Sequence, residues 1–274
     1  MTLFLEAVLA ASRGAEADAY PWTVPAIGAF RRLDFTVPVT FLMGENGCGK
    51  STLLEAIAIA CDAVAVGDQS LDDDATLAGP RILADRLTTR SGRRASTRLF
   101  FRAEDSFGFT RRVQRDVAAL DAEIAQLDAS DGVDATRRSG TLAANYVRGQ
   151  RGALTSAYGA DPHAFSHGET FLNIVRKRTA GAGLYFLDEP ETPLSPTRVM
   201  ALLTHIHASA AAGSQYIIAT HSPILAALPG AAIRLIDGEG IRTVAYDDLE
   251  HVRVTRDFLN APERYLRHLL EPTE

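Results

Sequence analysis

The chain has 274 residues, 46% apolar and 23% charged, which suffices for one large domain or one domain with an insertion and excludes disorder over most of its length. It holds no uninterrupted apolar run of about 18 residues, so no bilayer span by this chain is expected, and Glu6 breaks an apolar start that no basic stretch precedes, so no signal peptide is expected. A net charge of −6 gives no whole-chain bias towards nucleic acid, and two cysteines, Cys48 and Cys61, cannot build a disulfide framework, so a cytoplasmic setting is expected.

From the N-terminus, residues 2–9 and 33–37 read as strands, with Pro21, Pro25 and Pro38 punctuating the region. Residues 39–43 read as a short buried strand. A glycine-rich turn follows, then Ser51–Ala60 with apolar residues at helical spacing. The turn, Gly44-Glu45-Asn46-Gly47-Cys48-Gly49-Lys50-Ser51, fits the pattern G-x-x-x-x-G-K-[ST] between a strand and a helix, with Thr52 continuing it. Glycines let successive backbone N–H groups converge on one phosphate, and the helix N-terminus adds its positive end. Only two of the 28 basic residues are lysine, Lys50 and Lys177. A compact ammonium at Lys50 fits between the β- and γ-phosphates, where the planar fork of arginine does not. The Ser51 hydroxyl suits Mg2+. Nucleotide binding follows from these residues.

Residues 62–163 read differently. An acidic, turn-rich piece (Asp68, Asp72, Asp73, Asp74, Gly79-Pro80) precedes an arginine-dense one, 81–115, with ten arginines against Asp85, Glu104 and Asp105. Within it Arg98–Arg102 reads as a strand. Val113, Val117, Leu120, Ile124 and Leu127 form the apolar seam of a helix too short for an independent coiled coil. The span is expected to be an inserted, mainly helical subdomain packed on the sheet, with Asp128–Gly140 as a mobile loop. Arg111, Arg112 and Arg115, with Phe107 and Phe109 nearby, suit a nucleic-acid contact; the other reading is a solvated face balanced by the acidic flank at 68–74.

Leu184–Leu187, Tyr216–Ala219 and Ile233–Ile236 read as buried strands, and Thr197–Ala212 as a helix between the first two. Strand–helix–strand units imply a mostly parallel sheet. Asp188 ends the first of these strands, placed to hold Mg2+ beside the phosphate loop, and Glu189 follows it, placed to take a proton from water. His221 follows the second. Its 33-residue gap from Asp188 matches one helix and a return strand, so both sit at neighbouring strand ends, the imidazole within reach of a γ-phosphate. The tail ends in an amphipathic helix, expected to be a packing element.

Taken in order, the phosphate loop, Phe165-Ser166-His167-Gly168-Glu169, the strand ending in Asp188-Glu189-Pro190, Leu194-Ser195 and Ala219-Thr220-His221-Ser222-Pro223 resemble the ABC ATPase superfamily. The match looks like its soluble, stand-alone branch, similar to RecF- and SMC-type ATPases and to small bacterial AAA/ABC-like ATPases of about this length. The resemblance covers nearly the whole chain. It implies an α/β fold: a P-loop NTPase core with a mostly parallel sheet, an N-terminal antiparallel β subdomain and an inserted helical subdomain, all one domain over 1–274. It implies ATP and Mg2+ as ligands, Lys50, Glu189 and His221 as catalytic groups, and Ser51 and Asp188 on the metal. Glu104 stands where the family's metal-facing lid glutamine belongs. Ser166 and Gly168 match the signature motif that, in a head-to-tail homodimer, reaches the γ-phosphate held by the other subunit. Thr192–Ser195 matches the loop that crosses between the two sites, and Tyr20, Trp22 and Phe30 are the upstream aromatics available to stack on adenine. The signature departs from the family's L-S-G-G-Q, reading F-S-H-G-E. The expected activity is Mg-dependent ATP hydrolysis by an ATP-sandwiched homodimer in the cytosol, in DNA repair or phage defence. The alternatives are the nucleotide-binding subunit of a membrane transporter, a P-loop small-molecule kinase and a non-catalytic nucleotide-gated clamp.

Overall fold

A computed structural model describes residues 2–11, 19–67, 71, 74–103, 105–131, 138–158 and 167–270. In chain order, the first half comprises β1 (Ala7–Ala10), α1 (Pro25–Ala29), β2 (Arg32–Asp34), β3 (Val39–Met43), α2 (Lys50–Ala60), β4 (Val64–Ala65), α3 (Ala78–Ala84), β5 (Leu87–Arg90) and β6 (Arg98–Arg102). Two long helices follow, α4 (Asp105–Asp131) and α5 (Arg138–Tyr158), then α6 (His167–Arg178). The second half carries β7 (Leu184–Asp188), α7 (Pro196–Ala211), β8 (Gln215–Ala219), α8 (Pro223–Ala226), β9 (Ala232–Asp237), β10 (Gly240–Thr243), α9 (Glu250–Asn260) and α10 (Pro262–Leu270).

Seven strands form the main sheet in the order β10-β9-β3-β8-β7-β6-β4, parallel except for the β9–β10 hairpin at one edge. The apolar runs at 39–43, 184–187 and 216–219 lack polar alternation because both faces of these strands are covered. On one face Leu42, Phe186 and Ile217 pack with Leu53, Leu54 and Ile57 of α2 and with the small sheet. On the other, Phe41, Tyr185, Leu187 and Ile218 pack against Phe171 and Val175 of α6 and Leu202 and Ile206 of α7. A separate antiparallel sheet, β2-β1-β5, covers the N-terminal side. The fold is thus a mixed α/β P-loop architecture with a mostly parallel sheet and a separate antiparallel one.

The strand expected over 2–9 contracts to β1. Ahead of it, Leu5 is tied by side-chain bonds instead of a ladder: its N–H donates to Gln215 Oε1 (2.9 Å) and its carbonyl accepts from Gln215 Nε2 (2.8 Å). The strand expected over 33–37 becomes β2 and stops before Pro38, which brings no N–H.

Inside 62–163, β4 and β6 belong to the main sheet and β5 to the small one. The helical excursion is the α4–α5 pair. Val113 near the start of α4 is buried against the sheet's α6 face, whereas the following turns are largely exposed. α4 continues to Asp131, past the start of the expected loop, and Arg148 of α5 holds Asp128 at 2.6 Å. Residues 132–137 of that loop lie outside the described residues. At the C-terminus α10 rests on α9 through a Phe258–Tyr265 edge contact (5.8 Å between centroids). Leu266, Leu269 and Leu270 remain exposed, so α10 is less of a packing element than its sequence implies.

One buried charge cluster fixes the edge where β6 ends. The Arg102 side chain, 5% exposed, lies 2.8 Å from Asp74 Oδ2 and 3.1 Å from Glu55 Oε1 of α2. Asp74 also caps the following turn, accepting from Thr76 N (2.9 Å) and Thr76 Oγ1 (2.6 Å). Breaking a buried ion cluster from one side leaves an under-compensated charge. Asp74→Asn should therefore cost about 2–4 kcal/mol in chemical denaturation. A loss below about 0.5 kcal/mol would show that the cluster contributes no more than an exposed pair.

Candidate active site

The site lies along the carboxyl ends of the parallel strands, where a doubly wound sheet opens a crevice. Register sets this out. Asp188 pairs with Ala219 on one side and Arg102 on the other, and Leu42, one residue from the end of β3, pairs with Ala219. The phosphate loop after β3, Asp188 and Glu189 after β7 and His221 after β8 therefore emerge side by side.

The loop has the backbone its sequence promises. Gly44, Gly47 and Gly49 take φ values of 152°, 80° and 100°, regions open to glycine. A Cβ on Gly44 would run into the Ile236 carbonyl, and one on Gly49 would come within 2.9 Å of Val24 Cγ1. Lys50, the first residue of α2, is buried, and its Nζ donates to the Glu45 carbonyl at 2.8 Å, curling over the cradle. Burial pulls its ammonium below the ordinary value, while Cys48, Glu189, Asp188 and Glu191 push the other way. Glu45, Asn46 and Gly47 are exposed at the loop tip; Cys48 is a half-buried free thiol, and Thr52 is the third residue of α2.

Ser51 Oγ donates to Asp188 Oδ1 at 3.0 Å, across 137 residues of sequence. These are hard oxygen donors of the kind Mg2+ prefers, and no cluster of three His, Cys, Asp or Glu occurs among the described residues. That set fits Mg2+, which keeps water and phosphate oxygens in its shell rather than an all-protein cage. Glu189 adopts φ 45°, a left-handed conformation costing a non-glycine residue about 1–3 kcal/mol, and its N–H donates to the Ala219 carbonyl (2.9 Å). Its Oε1 lies 3.3 Å from His221 Nε2, the two side chains being 40% and 35% exposed. The approach is too oblique for a hydrogen bond, and His221 Nε2 has no hydrogen-bond partner among the described residues.

Gly168 is buried at the start of α6, where a Cβ would strike the Pro193 carbonyl. The signature segment and the 192–195 turn are thus in contact. Glu169 reaches Arg198 at 3.2 Å. Ser166 and Glu104 lie outside the described residues; Ala103, just before Glu104, donates its N–H to the Asp188 carbonyl at 3.2 Å. Of the three aromatics, Trp22 and Phe30 are core residues, whereas Tyr20 is exposed with its hydroxyl 2.9 Å from Thr52 Oγ1.

Several arginines of the dense stretch meet the chain's own groups, while Arg86, Arg90, Arg94 and Arg115 are exposed. Arg81 donates to the Leu71 and Asp74 carbonyls, Arg90 meets Glu6 and Arg98 meets Asp62 at 3.3 Å each, and Arg93 lies over the Phe4 ring. The side chains of Phe107, Phe109, Arg111 and Arg112 lie outside the described residues.

Two residues were missed in the sequence. Glu191 contacts the turn carrying His221, a signal hidden by its place beside the more obvious Glu189. His251 has a buried Nε2 without a partner among the described residues. Burial, then the charges of His221 and Lys50, hold its imidazole below the ordinary value. No motif marks it, because a helix 30 residues beyond His221 brings it there.

The AAA domain family matches residues 26–146. A Streptomyces avermitilis protein named as an ABC transporter ATP-binding protein is 32% identical over 209 residues, covering 73% of this chain. The chain spans 32% of that relative's length. Solved structures that align include the ATP-binding subunit of an ABC transporter, at 17% identity over 93% of each chain with a TM-score of 0.41. A Pyrococcus furiosus Smc head domain with an extended coiled coil, bound to the C-terminal domain of ScpA, aligns at 12% identity over 94% of this chain and 100% of that one, TM-score 0.43. No helix among the described residues is long and apolar enough to cross a membrane. Sequence similarity over 73% of the chain, joined to a phosphate cradle in its strand–loop–helix setting, supports an ABC-type ATPase superfamily member.

Proposed function

We propose that the chain binds ATP with Mg2+ and hydrolyses it between two copies of itself. The observation that carries this is the placing of the Glu189 carboxylate 3.3 Å from the His221 imidazole, beside the Ser51–Asp188 pair and the Lys50 cradle. Lys50 and the loop N–H groups of 44–52 hold the β- and γ-phosphates. Ser51 and Asp188, with Glu104 assigned to the same role, would hold Mg2+, which would supply charge neutralisation on the phosphate oxygens. Glu189 takes a proton from a water as its oxygen bonds to the γ-phosphorus and the bond to the bridging oxygen breaks, giving ADP and phosphate. His221 donates to the γ-phosphate, which gives its unpartnered Nε2 a partner.

The two-copy arrangement is supported by exposure. Glu189 and His221 are more than a third open to solvent, and charge contacts there are weakened by water. A second copy presenting Ser166 and Gly168 dries the site. The first turn of α6 lies against the 192–195 turn, which supports placing both on the same face of the chain. The single domain carries its α4–α5 pair as an arm in this reading. Two free cysteines fit a cytosolic setting. Turnover per chain should rise with protein concentration in the range where copies associate; strictly constant turnover down to high dilution would contradict a shared site.

The name of the Streptomyces relative favours a second reading, a nucleotide-binding subunit working with a membrane partner. It predicts co-purification with a membrane-spanning protein, and hydrolysis that responds to that partner rather than to added DNA or RNA.

A further inference from the structure

Glu191 stands where β7 runs into the 192–195 turn, half-buried and two residues beyond Glu189. Its Oε1 accepts from Thr220 Oγ1 at 2.6 Å and from the His221 backbone N–H at 2.8 Å. The chain of bonds goes on: Thr220 Oγ1 accepts from Ser222 N (2.9 Å), and Ser222 Oγ accepts from Leu225 N (3.3 Å), capping α8. In the other direction, the Glu191 carbonyl accepts from Leu194 N at 2.8 Å, and the Glu189 carbonyl from Thr192 N at 3.0 Å. One carboxylate oxygen thus joins the turn after β7 to the turn after β8. Among the described residues the His221 ring has no comparable anchor, since its Nε2 meets Glu189 at 3.3 Å without a hydrogen bond. Where that ring sits is set by its backbone, and the backbone is held by Glu191.

We propose that Glu191 is a positioning residue for hydrolysis: it fixes His221 at the site and couples it to the 192–195 turn. This rests on the reading of His221 as a contact to the γ-phosphate. A charged acceptor makes short, stiff bonds to a main-chain N–H. A misplacement of about 1 Å at a reacting centre is enough to slow a reaction about 100-fold. In this account the anchor is Glu191 Oε1, occupied by two donors, while Oε2 is buried without a hydrogen-bond partner among the described residues.

The test is a double-mutant cycle read in kcat, KM and ATP affinity. Glu191→Ala should lower kcat by about 30-fold while ATP affinity changes by less than about 3-fold. Combined with His221→Ala, it should slow the enzyme no further than His221→Ala alone, because Glu191 acts through that histidine. Glu191→Gln keeps an Oε1 acceptor for both donors and should lower kcat only by about 3-fold. Parental kcat in Glu191→Ala beside a slow His221→Ala would overturn the positioning role, as would losses that multiply in the double variant. A Gln variant as slow as the Ala variant would show that the charge acts, not the anchor, and would overturn it too. Parental turnover in His221→Ala would instead sink the reading of His221 itself, and the role of Glu191 with it. Should Glu191→Ala fail to fold, the Gln variant and Thr220→Val decide. Thr220→Val removes the bridging hydroxyl and should slow kcat by about 3- to 10-fold, but not on top of His221→Ala; unchanged kcat there would count against the proposal.

Discussion

Glu189→Gln should bind ATP as the parent does and turn it over about 1,000-fold more slowly, since a positioned general base contributes about 10²–10⁴ to a hydrolytic rate. Glutamine matches glutamate in size and still offers an oxygen towards His221, but it takes no proton from water. The fold should survive, because the left-handed backbone at position 189 costs either side chain about the same. The bond from its N–H to the Ala219 carbonyl is independent of the side chain. Phosphate release under saturating ATP and Mg2+ measures the effect. A parental rate would remove Glu189 from the chemistry and leave a phosphate-binding loop without an assigned base.

Lys50→Ala should lower ATP affinity by at least about 100-fold, the scale of losing a charged contact to phosphate. Stability should respond differently. The ammonium is buried, burial disfavours its charged form, and it donates to the Glu45 carbonyl. Alanine relieves that burial, so the thermal midpoint without nucleotide should not fall. ATP should raise the midpoint of the parent by mass action and leave the variant unmoved. Equal ATP-induced stabilisation in both proteins would contradict the assignment of Lys50. A much lower midpoint without nucleotide would mean that the lysine is structural.

The parts that could be read in the sequence are those whose physics is local. Three glycines with positive φ, one of the chain's two lysines and an apolar strand ahead of them specify the cradle within eight residues. The strands ending at Asp188 and Ala219 were legible because both faces are buried and apolar residues run without alternation. Their adjacency followed from the length of one crossover. Residues that depend on tertiary neighbours were not legible. Glu191 reads as one more surface acid until β8 is placed beside β7. His251 reaches the site only through the packing of Leu249 and Val252 into the core. The boundary of the insertion was blurred because β4, β5 and β6 are short and arginine-laden, and Arg102 is tolerated in a buried strand only because Glu55 and Asp74 come to meet it. The arginines from 81 to 102 mostly meet the chain's own carbonyls, carboxylates and aromatic rings, whereas of those named for nucleic acid Arg115 is exposed and the side chains of Arg111 and Arg112 lie outside the described residues.

The account turns on whether one copy supplies only part of a working site. Light scattering on Glu189→Gln, with and without saturating ATP and Mg2+, addresses this directly, because the variant holds the nucleotide unhydrolysed. The expected result is the mass of one chain without nucleotide and of two with it, the shift vanishing when Lys50→Ala is added. A single-chain mass at saturating ATP, with binding verified in the same sample, would contradict the shared site.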